Sequence, residues 1–331
     1  MSKHRQPQAP PRHVPVRFRP DPIAPPNLLE LDRFSKADLD RWNKLSEDLD
    51  ELSAVLYSGI EPQRQRLRAE LIAAIQAVPS TSMDFTGWVR IVTLRYADAP
   101  LAATGSLNGL GGRFNIGADI DNAICAPWPA LYIASDQETA YREKFGMAKD
   151  FRVDGLSAEE LALKPGNSYS AVRLDGHLTL VFDIGMPGAL DPVCKVLRKI
   201  SLPAEAVKLR TRLKIPRQQV YMIRTAAHLM REVMVMNWRT LPTQFGNPAV
   251  SQILGGLILD AGCEAIRYRS TKGEGECVAI FPHRLASDAS FVALADPPPA
   301  SVRHTRLDLT TADDLCGWEA LPRHLQSKRG L

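Results

Sequence analysis

Two apolar stripes at helical spacing open the ordered part of the sequence. They are separated by Ser58-Gly59-Ile60-Glu61-Pro62, which places a proline where a new helix would begin. The stripes consist of Leu39, Trp42, Leu45, Leu49, Leu52 and Leu56, then Leu67, Leu71, Ile75 and Val78. Steps of three and four residues are typical of amphipathic helices, so the pattern predicts a helical hairpin over residues 27–80. Residues 1–26 contain eight prolines, which predicts a disordered, extended tail.

The pattern changes to strands after Gly87, where β-branched residues are enriched and apolar positions alternate. Further strands are predicted at 131–134, 178–184, 265–270 and 278–281, with helices within 188–240 and 247–259. Because strands and helices do not alternate regularly, the predicted fold class is α+β, with a compact mixed or antiparallel sheet and helices around it. The predicted segments are the tail at 1–26, the hairpin at 27–80, a main domain at 81–285 and a C-terminal extension at 286–331.

Charge and composition narrow the class of protein. The net charge of +4 resides in the basic tail, since residues 1–26 hold Lys3, Arg5, Arg12, Arg17 and Arg19 against Asp21 alone. The remaining chain has no net basic excess, so we expect no direct nucleic-acid partner. No long apolar run predicts a membrane span, and a cytoplasmic location is expected. The five cysteines and seven histidines are scattered without metal-ligand spacing, and no metal is assigned.

Candidate chemistry lies in the middle third of the chain. A glycine turn, Gly111-Gly112-Arg113-Phe114-Asn115, presents an arginine, and the strand at 131–134 carries Tyr132. The following helix carries Thr139, Ala140 and one acid, Glu143. An arginine, an aromatic ring and a carboxylate in this order suit the binding of an anionic nucleotide and the cleavage of a glycosidic bond.

These motifs resemble the RES domain family over Trp88 to Phe281. The resemblance rests on Arg90 in its strand, the glycine turn, Tyr132 leading to Glu143, and the closing Tyr268-Arg269-Ser270 with Val278-Ala279-Ile280-Phe281. It implies a fold like that of ADP-ribosyltransferases and an enzyme that cleaves NAD⁺ at the nicotinamide–ribose bond. It also implies a toxin of a toxin–antitoxin pair, whose partner is an Xre-type helix-turn-helix antitoxin that covers the active site.

Within that resemblance, each candidate residue has an expected role. Glu143 and Ser270 are the expected catalytic residues, with Glu143 against the positive charge that develops on the ribose. Arg90 and Arg113 are expected to bind the pyrophosphate through planar bidentate donors. Tyr132 is expected to stack on the pyridinium ring, with Tyr96 as second choice. Arg95, which directly precedes Tyr96, competes with Arg90 as the first arginine of the family pattern.

Other interpretations stay open at this level. Taken alone, Arg113 and Asn115 suit a structural role in the turn, Arg90 suits a surface position, and Tyr132 suits the core. Glu143 suits the solvated face of a helix, and Ser270 suits a turn. The acceptor of ADP-ribose is water, inorganic phosphate or a protein side chain, and the last would make the chain a protein ADP-ribosyltransferase. A non-catalytic module that binds a partner through the helical segment is the alternative from another class. The oligomeric state is open, and a homo-oligomer fits the sequence as well as a monomer does.

Overall fold

A computed structural model describes residues 36–120, 125–146, 152–153, 156–157, 169–217, 219–285 and 287–317. The predicted tail, residues 1–26, lies outside these ranges. The chain divides into two compact units, residues 1–49 and 50–331. The described helices are α1 (Lys36–Arg66), α2 (Arg68–Gln76), α3 (Gln137–Phe145), α4 (Asp191–Leu197), α5 (Ala204–Arg212), α6 (Ala226–Val233), α7 (Thr240–Phe245), α8 (Val250–Asp260) and α9 (Ala312–Cys316).

The N-terminal helices differ from the predicted hairpin in the position of their break. Helix α1 continues through Pro62. The break falls at Leu67, whose φ of −96° and ψ of 3° interrupt the helix between α1 and α2. In an αα-hairpin, a loop of about two to five residues reverses the direction of the chain, and the single residue between α1 and α2 cannot form such a loop. Tertiary contacts explain why α1 continues past Pro62, because the Gln63 side chain bonds to the backbone of Ser201. Its Nε2 donates to the Ser201 carbonyl at 2.9 Å, and its Oε1 accepts from the Ser201 N–H at 3.0 Å.

A mixed sheet forms the centre of the second unit. Its strands are β1 (Thr81–Thr93), β4 (Leu131–Ala134), β7 (Tyr169–Asp183), β8 (Ala265–Arg269), β9 (Glu276–Ile280), β10 (Phe291–Leu294) and β11 (Arg306–Leu307). Two short ladders lie outside it: β2 (Gly111–Gly112) with β3 (Asn115–Ile116), and β5 (Arg152–Val153) with β6 (Leu156–Ser157). The strand order is β1-β4-β9-β8-β7-β10-β11, and β1 also pairs with β7, so five strands form a closed ring.

The pairing confirms the predicted α+β class with a mostly antiparallel sheet. Only β7 and β8 run parallel among the described strands of the sheet, with Val181 opposite Ala265. Strand β1 begins earlier than its predicted start after Gly87, because Met83 and Phe85 point into the core and a register shift at Phe85/Trp88 accommodates Gly87. Glycine at φ 69° fits this irregularity without steric cost.

Apolar side chains cover both faces of the sheet. On one face, α2, α4, α6 and α8 pack together through residues such as Leu71, Val193 and Ile258. On the other face, Leu101, Val292 and Leu315 are buried in a second cluster. Residues 291–316, within the predicted C-terminal extension, therefore supply two strands and a helix to the same sheet and core. None of the described helices combines the length and apolarity needed to cross a bilayer.

Candidate active site

Helix α3 positions Glu143 near its C-terminal end. Asp136 is the N-cap, and its Oδ1 accepts a hydrogen bond from the Thr139 N–H at 2.8 Å. Gly146 ends the helix in the left-handed conformation at φ 69°, which glycine adopts readily. The spacing of Ser135 and Glu138 is that of a capping box, but the Ser135 hydroxyl accepts from the Glu276 N–H at 3.0 Å and so joins α3 to β9.

The turn between β8 and β9 brings Ser270 to Glu143. The Ser270 hydroxyl donates to Glu143 Oε1 at 2.6 Å and accepts from the backbone N–H groups of Lys272 at 3.0 Å and Gly273 at 2.8 Å. The Gly275 N–H donates to Thr139 Oγ1 at 3.1 Å, which holds the turn against α3. The two residues expected to be catalytic are thus in direct contact, and every bond of the serine oxygen orients it toward the carboxylate.

The glycine turn is organised by Asn115. Its Oδ1 accepts from the Gly112 N–H at 2.8 Å and from the Tyr132 hydroxyl at 2.9 Å, while its Nδ2 donates to the carbonyl of Trp128 at 3.0 Å. Gly111 adopts φ 85°, and a Cβ on Gly112 would overlap the Tyr132 hydroxyl. Asn115 therefore stabilises the turn, which is one of the roles that the sequence leaves open for it. A side chain at Gly111 or Gly112 would be strained or would clash, so both positions require glycine.

Gln252 of α8 is a buried organiser of this turn that the sequence analysis missed. Its Nε2 donates to the carbonyls of Leu110 at 2.8 Å, Asn115 at 3.0 Å and Gly112 at 3.2 Å. Its Oε1 accepts from the Ala249 N–H at 2.9 Å. The signal in the sequence was an amide side chain in the otherwise largely apolar run from Val250 to Leu259, because a fully buried carboxamide requires partners.

Arg90 is partly buried, with its Nε enclosed by the protein, rather than at the surface. Its guanidinium donates to the carbonyls of Ala102 at 2.8 Å and Tyr132 at 3.4 Å, and its Nε has no hydrogen-bond partner among the described residues. Burial lowers the pKa of Arg90 to about 10, so the side chain is still cationic at neutral pH. A buried cation held only by carbonyls is suited to an anion that enters beside it.

Arg113 is 5% exposed and bonded to protein on several sides. Its NH1 donates to the carbonyls of Val235 at 2.9 Å and Val233 at 3.2 Å, and its NH2 donates to Thr271 Oγ1 at 2.9 Å. These contacts use three of the five N–H donors of a guanidinium. Arg113 therefore connects the segment after α6 to the turn that carries Ser270.

The aromatic candidates lie on the wall of the site. The Tyr132 hydroxyl accepts from the Phe114 N–H at 3.0 Å, and burial raises the pKa of this phenol well above its ordinary range. Its oxygen is thus engaged in the glycine turn, while part of the side chain still borders the cavity. Tyr96 borders the same cavity, at the end of a 3₁₀ turn over Leu94–Tyr96. Arg95 belongs to that turn, and its side chain lies outside the described part of the structure.

A cavity of about 300 Å³ is lined by five of the candidate residues, namely Arg90, Tyr96, Arg113, Tyr132 and Glu143. Among the described residues that line it, four are cationic and one, Glu143, is acidic; the cations are Arg90, Arg113, Lys144 and Arg239. Trp238, Arg239 and Lys144 were missed by the sequence analysis, since they lie in segments without a recognisable motif. A cavity whose charged lining is mostly cationic suits a phosphate-bearing ligand.

Two polar side chains border the cavity beside Glu143. Burial, reinforced by the Glu143 charge, raises the pKa of the Cys277 thiol far above its ordinary value. Burial also raises the pKa of the Tyr268 phenol, whose ring packs edge-on against Phe114 with centroids 4.9 Å apart. Both groups are therefore neutral at physiological pH, so Glu143 meets no second anion on this side. Within the described ranges, no three side chains of His, Cys, Asp or Glu are close enough together to hold a metal ion.

Comparisons with known proteins show the family of this chain. The family model described as "RES domain" matches residues 88–309, which include all the residues discussed for the cavity. Among solved structures, the chain is similar to one described as the "Crystal structure of the M.tuberculosis MbcT-MbcA toxin-antitoxin complex". The identity is 15%, the match covers 75% of this chain and 97% of that chain, and the TM-score is 0.39. A search of curated proteins gave no match.

Proposed function

This chain belongs to the RES domain family, and from that membership we propose that it cleaves NAD⁺ at the bond between nicotinamide and ribose. The observation that carries the proposal is the 2.6 Å hydrogen bond between Ser270 and Glu143 at a cavity with an otherwise cationic lining. A single oriented carboxylate among cations is what a ligand with anionic phosphates and one cationic reacting centre requires.

The proposed reaction breaks the C1′–N bond of the nicotinamide riboside. The bonding electron pair goes to the ring nitrogen, so cationic nicotinamide leaves as a neutral molecule and positive charge develops on the ribose. The proposed role of the Glu143 carboxylate is to oppose that charge, as in glycosidases. Ser270 holds the carboxylate in one orientation, which avoids reorganisation in the transition state. Water then adds at C1′ and loses a proton, or inorganic phosphate adds as an anion.

Binding is proposed for the other residues of the cavity. Arg90 takes a phosphate of the dinucleotide, since its cation is buried without a carboxylate partner among its hydrogen bonds. Arg113 lies next to the same space with part of its donor capacity unused. Tyr132 and Tyr96 offer aromatic surfaces for the nicotinamide ring. Arg95, one residue before Tyr96, is kept as a further candidate for phosphate.

A direct assay tests the reaction and identifies the acceptor. Purified protein is incubated with NAD⁺ with and without inorganic phosphate, and nicotinamide, ADP-ribose and phosphorylated ADP-ribose are quantified by chromatography. Nicotinamide release is the expected result, and the second product distinguishes water from phosphate. Labelled NAD⁺ added to a cell extract covers the remaining alternative, since label in a protein band would indicate ADP-ribosyl transfer. No nicotinamide release under any of these conditions would overturn the proposal.

A toxin role in the cytoplasm, where NAD⁺ is available, is the proposed biological context. NAD⁺ depletion would arrest growth, so such an enzyme needs an inhibitor, and the family membership favours a helix-turn-helix antitoxin of the Xre type that covers the cavity. Controlled expression in bacteria tests this role. Growth arrest with falling cellular NAD⁺ is expected for the wild type, and growth should continue on expression of Glu143→Gln.

A further inference from the structure

The three arginines that line the cavity differ in the number of hydrogen bonds that their guanidinium groups make to the protein. Arg90 donates to two carbonyls, and Arg113 makes three hydrogen bonds to Val233, Val235 and Thr271. The guanidinium of Arg239 makes no hydrogen bond and no ion pair within the described part of the chain. Its charge is therefore the least compensated of these three arginines.

Arg239 is nevertheless held in place. Its guanidinium carbon lies 4.7 Å from the centroid of the Trp238 ring, a cation–π contact, and Trp238 is 6% exposed. The rigid indole thus supports the guanidinium at the exposed rim of the cavity. Stacking on an aromatic face leaves the in-plane N–H donors of an arginine available to a ligand.

Arg113 fixes the segment that delivers this pair. Its bonds to the carbonyls of Val233 and Val235 hold the chain just before Trp238, and its bond to Thr271 ties that chain to the turn of Ser270. The position of Arg239 relative to Glu143 is thus set through Arg113. The charge of Arg239 also reaches into the cavity, since it acts electrostatically on the Tyr132 hydroxyl.

We propose that Arg239, supported by Trp238, binds a phosphate group at the rim of the cavity, and that Arg113 acts mainly by positioning this segment. The inference rests on the proposed function and adds a binding residue to that site. In either of the two ligands considered below, the group that binds is a phosphate oxyanion, which accepts hydrogen bonds from the stacked guanidinium. The phosphate comes either from the dinucleotide or from inorganic phosphate as the acceptor.

The test compares wild type, Arg239→Gln, Arg239→Lys and the control Arg303→Gln, which removes an exposed arginine that does not line the cavity. Binding of ADP-ribose and of inorganic phosphate is measured by calorimetry in a Glu143→Gln background, where no turnover interferes. Steady-state assays then give the KM for NAD⁺ and the phosphate concentration at half-maximal rate.

A dinucleotide contact predicts that Arg239→Gln weakens ADP-ribose binding about tenfold, the loss of one charge-assisted contact, with phosphate dependence unchanged. An acceptor contact predicts unchanged ADP-ribose binding and an increase of about tenfold in the phosphate concentration at half-maximal rate. Arg239→Lys should retain part of the affinity in either case. Unchanged values for both probes, equal losses in Arg303→Gln, or a wild type that binds neither probe would overturn the inference.

The binding measurements separate this inference from the proposed function. If the wild type binds ADP-ribose through Arg239 but releases no nicotinamide, the cleavage reaction is wrong and the phosphate site stands. If nicotinamide is released equally by wild type and Arg239→Gln with unchanged KM and phosphate dependence, the reaction stands and the role of Arg239 is wrong.

Discussion

The Ser270 hydroxyl donates a hydrogen bond of 2.6 Å to Glu143 Oε1, although the two residues are 127 positions apart in the sequence. The same oxygen accepts from the backbone N–H groups of Lys272 and Gly273, so its single proton is directed to the carboxylate. This arrangement makes Glu143 an oriented anion on the cavity wall, and the first two predictions concern it.

Glu143→Gln should reduce nicotinamide release by at least about a hundredfold while the protein stays folded, since the amide keeps the shape and the Ser270 contact but loses the charge. Rates with NAD⁺ and the circular dichroism spectrum provide the measurement. Glu138→Gln is the matched control, because Glu138 lies on the same helix with its side chain 72% exposed and paired with Arg142. Comparable turnover in the two variants would contradict the role of Glu143.

Ser270→Ala should lower kcat about tenfold and destabilise the protein by about 1–2 kcal/mol. The substitution frees the carboxylate and leaves the N–H groups of Lys272 and Gly273 without their acceptor. Ser270→Thr, which keeps a hydroxyl, should recover part of both losses. Ser301→Ala serves as the surface control, since that hydroxyl donates only to Asp98 at an exposed position. A Ser270→Ala enzyme with full kcat would exclude orientation of Glu143 as its function.

Arg90→Met should weaken ADP-ribose binding by about tenfold to a hundredfold without lowering the melting temperature of the unliganded protein. Among the described residues, the Arg90 guanidinium bonds to two carbonyls and to no carboxylate. An apolar side chain of similar length relieves the desolvation of the cation, which offsets the loss of these two hydrogen bonds, and it removes the anion contact. Thermal melts with and without ADP-ribose measure both effects. Retention of the ligand-induced stabilisation in Arg90→Met would show that phosphate does not contact this residue.

Gln252→Leu should reduce the free energy of unfolding by about 2–3 kcal/mol, because the carbonyls of Leu110, Gly112 and Asn115 lose a common donor inside the protein. NAD⁺ cleavage should fall as well, since the glycine turn that carries Arg113 is loosened. Urea denaturation gives the stability change. In the control Gln76→Leu, which loses one exposed bond to the Ala261 carbonyl, the change should stay within about 0.5 kcal/mol.

Alkaline pH should destabilise the fold through its buried thiols. Burial raises the pKa of Cys194 and of Cys263 from 9.0 to about 11. Between pH 9 and 11 these thiols ionise in the unfolded chain but not in the folded one, so the stability present below pH 9 is progressively lost as pH rises. Urea midpoints at pH 8 and pH 10 measure the loss, which should be smaller in Cys194→Ala. Equal losses in wild type and variant would contradict a contribution from Cys194.

Local patterns along the chain are enough to predict the elements that form this site. Alternating apolar residues predicted the strand of Arg90, two glycines before Arg113 predicted the turn, and Gly273 and Gly275 predicted the turn after Ser270. These features are readable because backbone preferences and the periodicity of a single segment depend only on nearby residues. Motif order was sufficient to indicate the family, which the match over residues 88–309 confirms.

Which of these residues lie next to each other, and which groups each one contacts, depends on tertiary contacts between distant segments. Helix α1 continues through Pro62 because the Gln63 side chain bonds to the distant Ser201 backbone. The guanidinium of Arg90 donates to the carbonyls of Ala102 and Tyr132, and that of Arg113 donates to Val233, Val235 and Thr271. In the sequence, both arginines are equally plausible phosphate ligands. The continuation of α1 and the contacts of the two arginines result from hydrogen bonds and packing between segments that are distant in the sequence. Such contacts depend on the order and pairing of the strands in the sheet, which no local sequence pattern encodes.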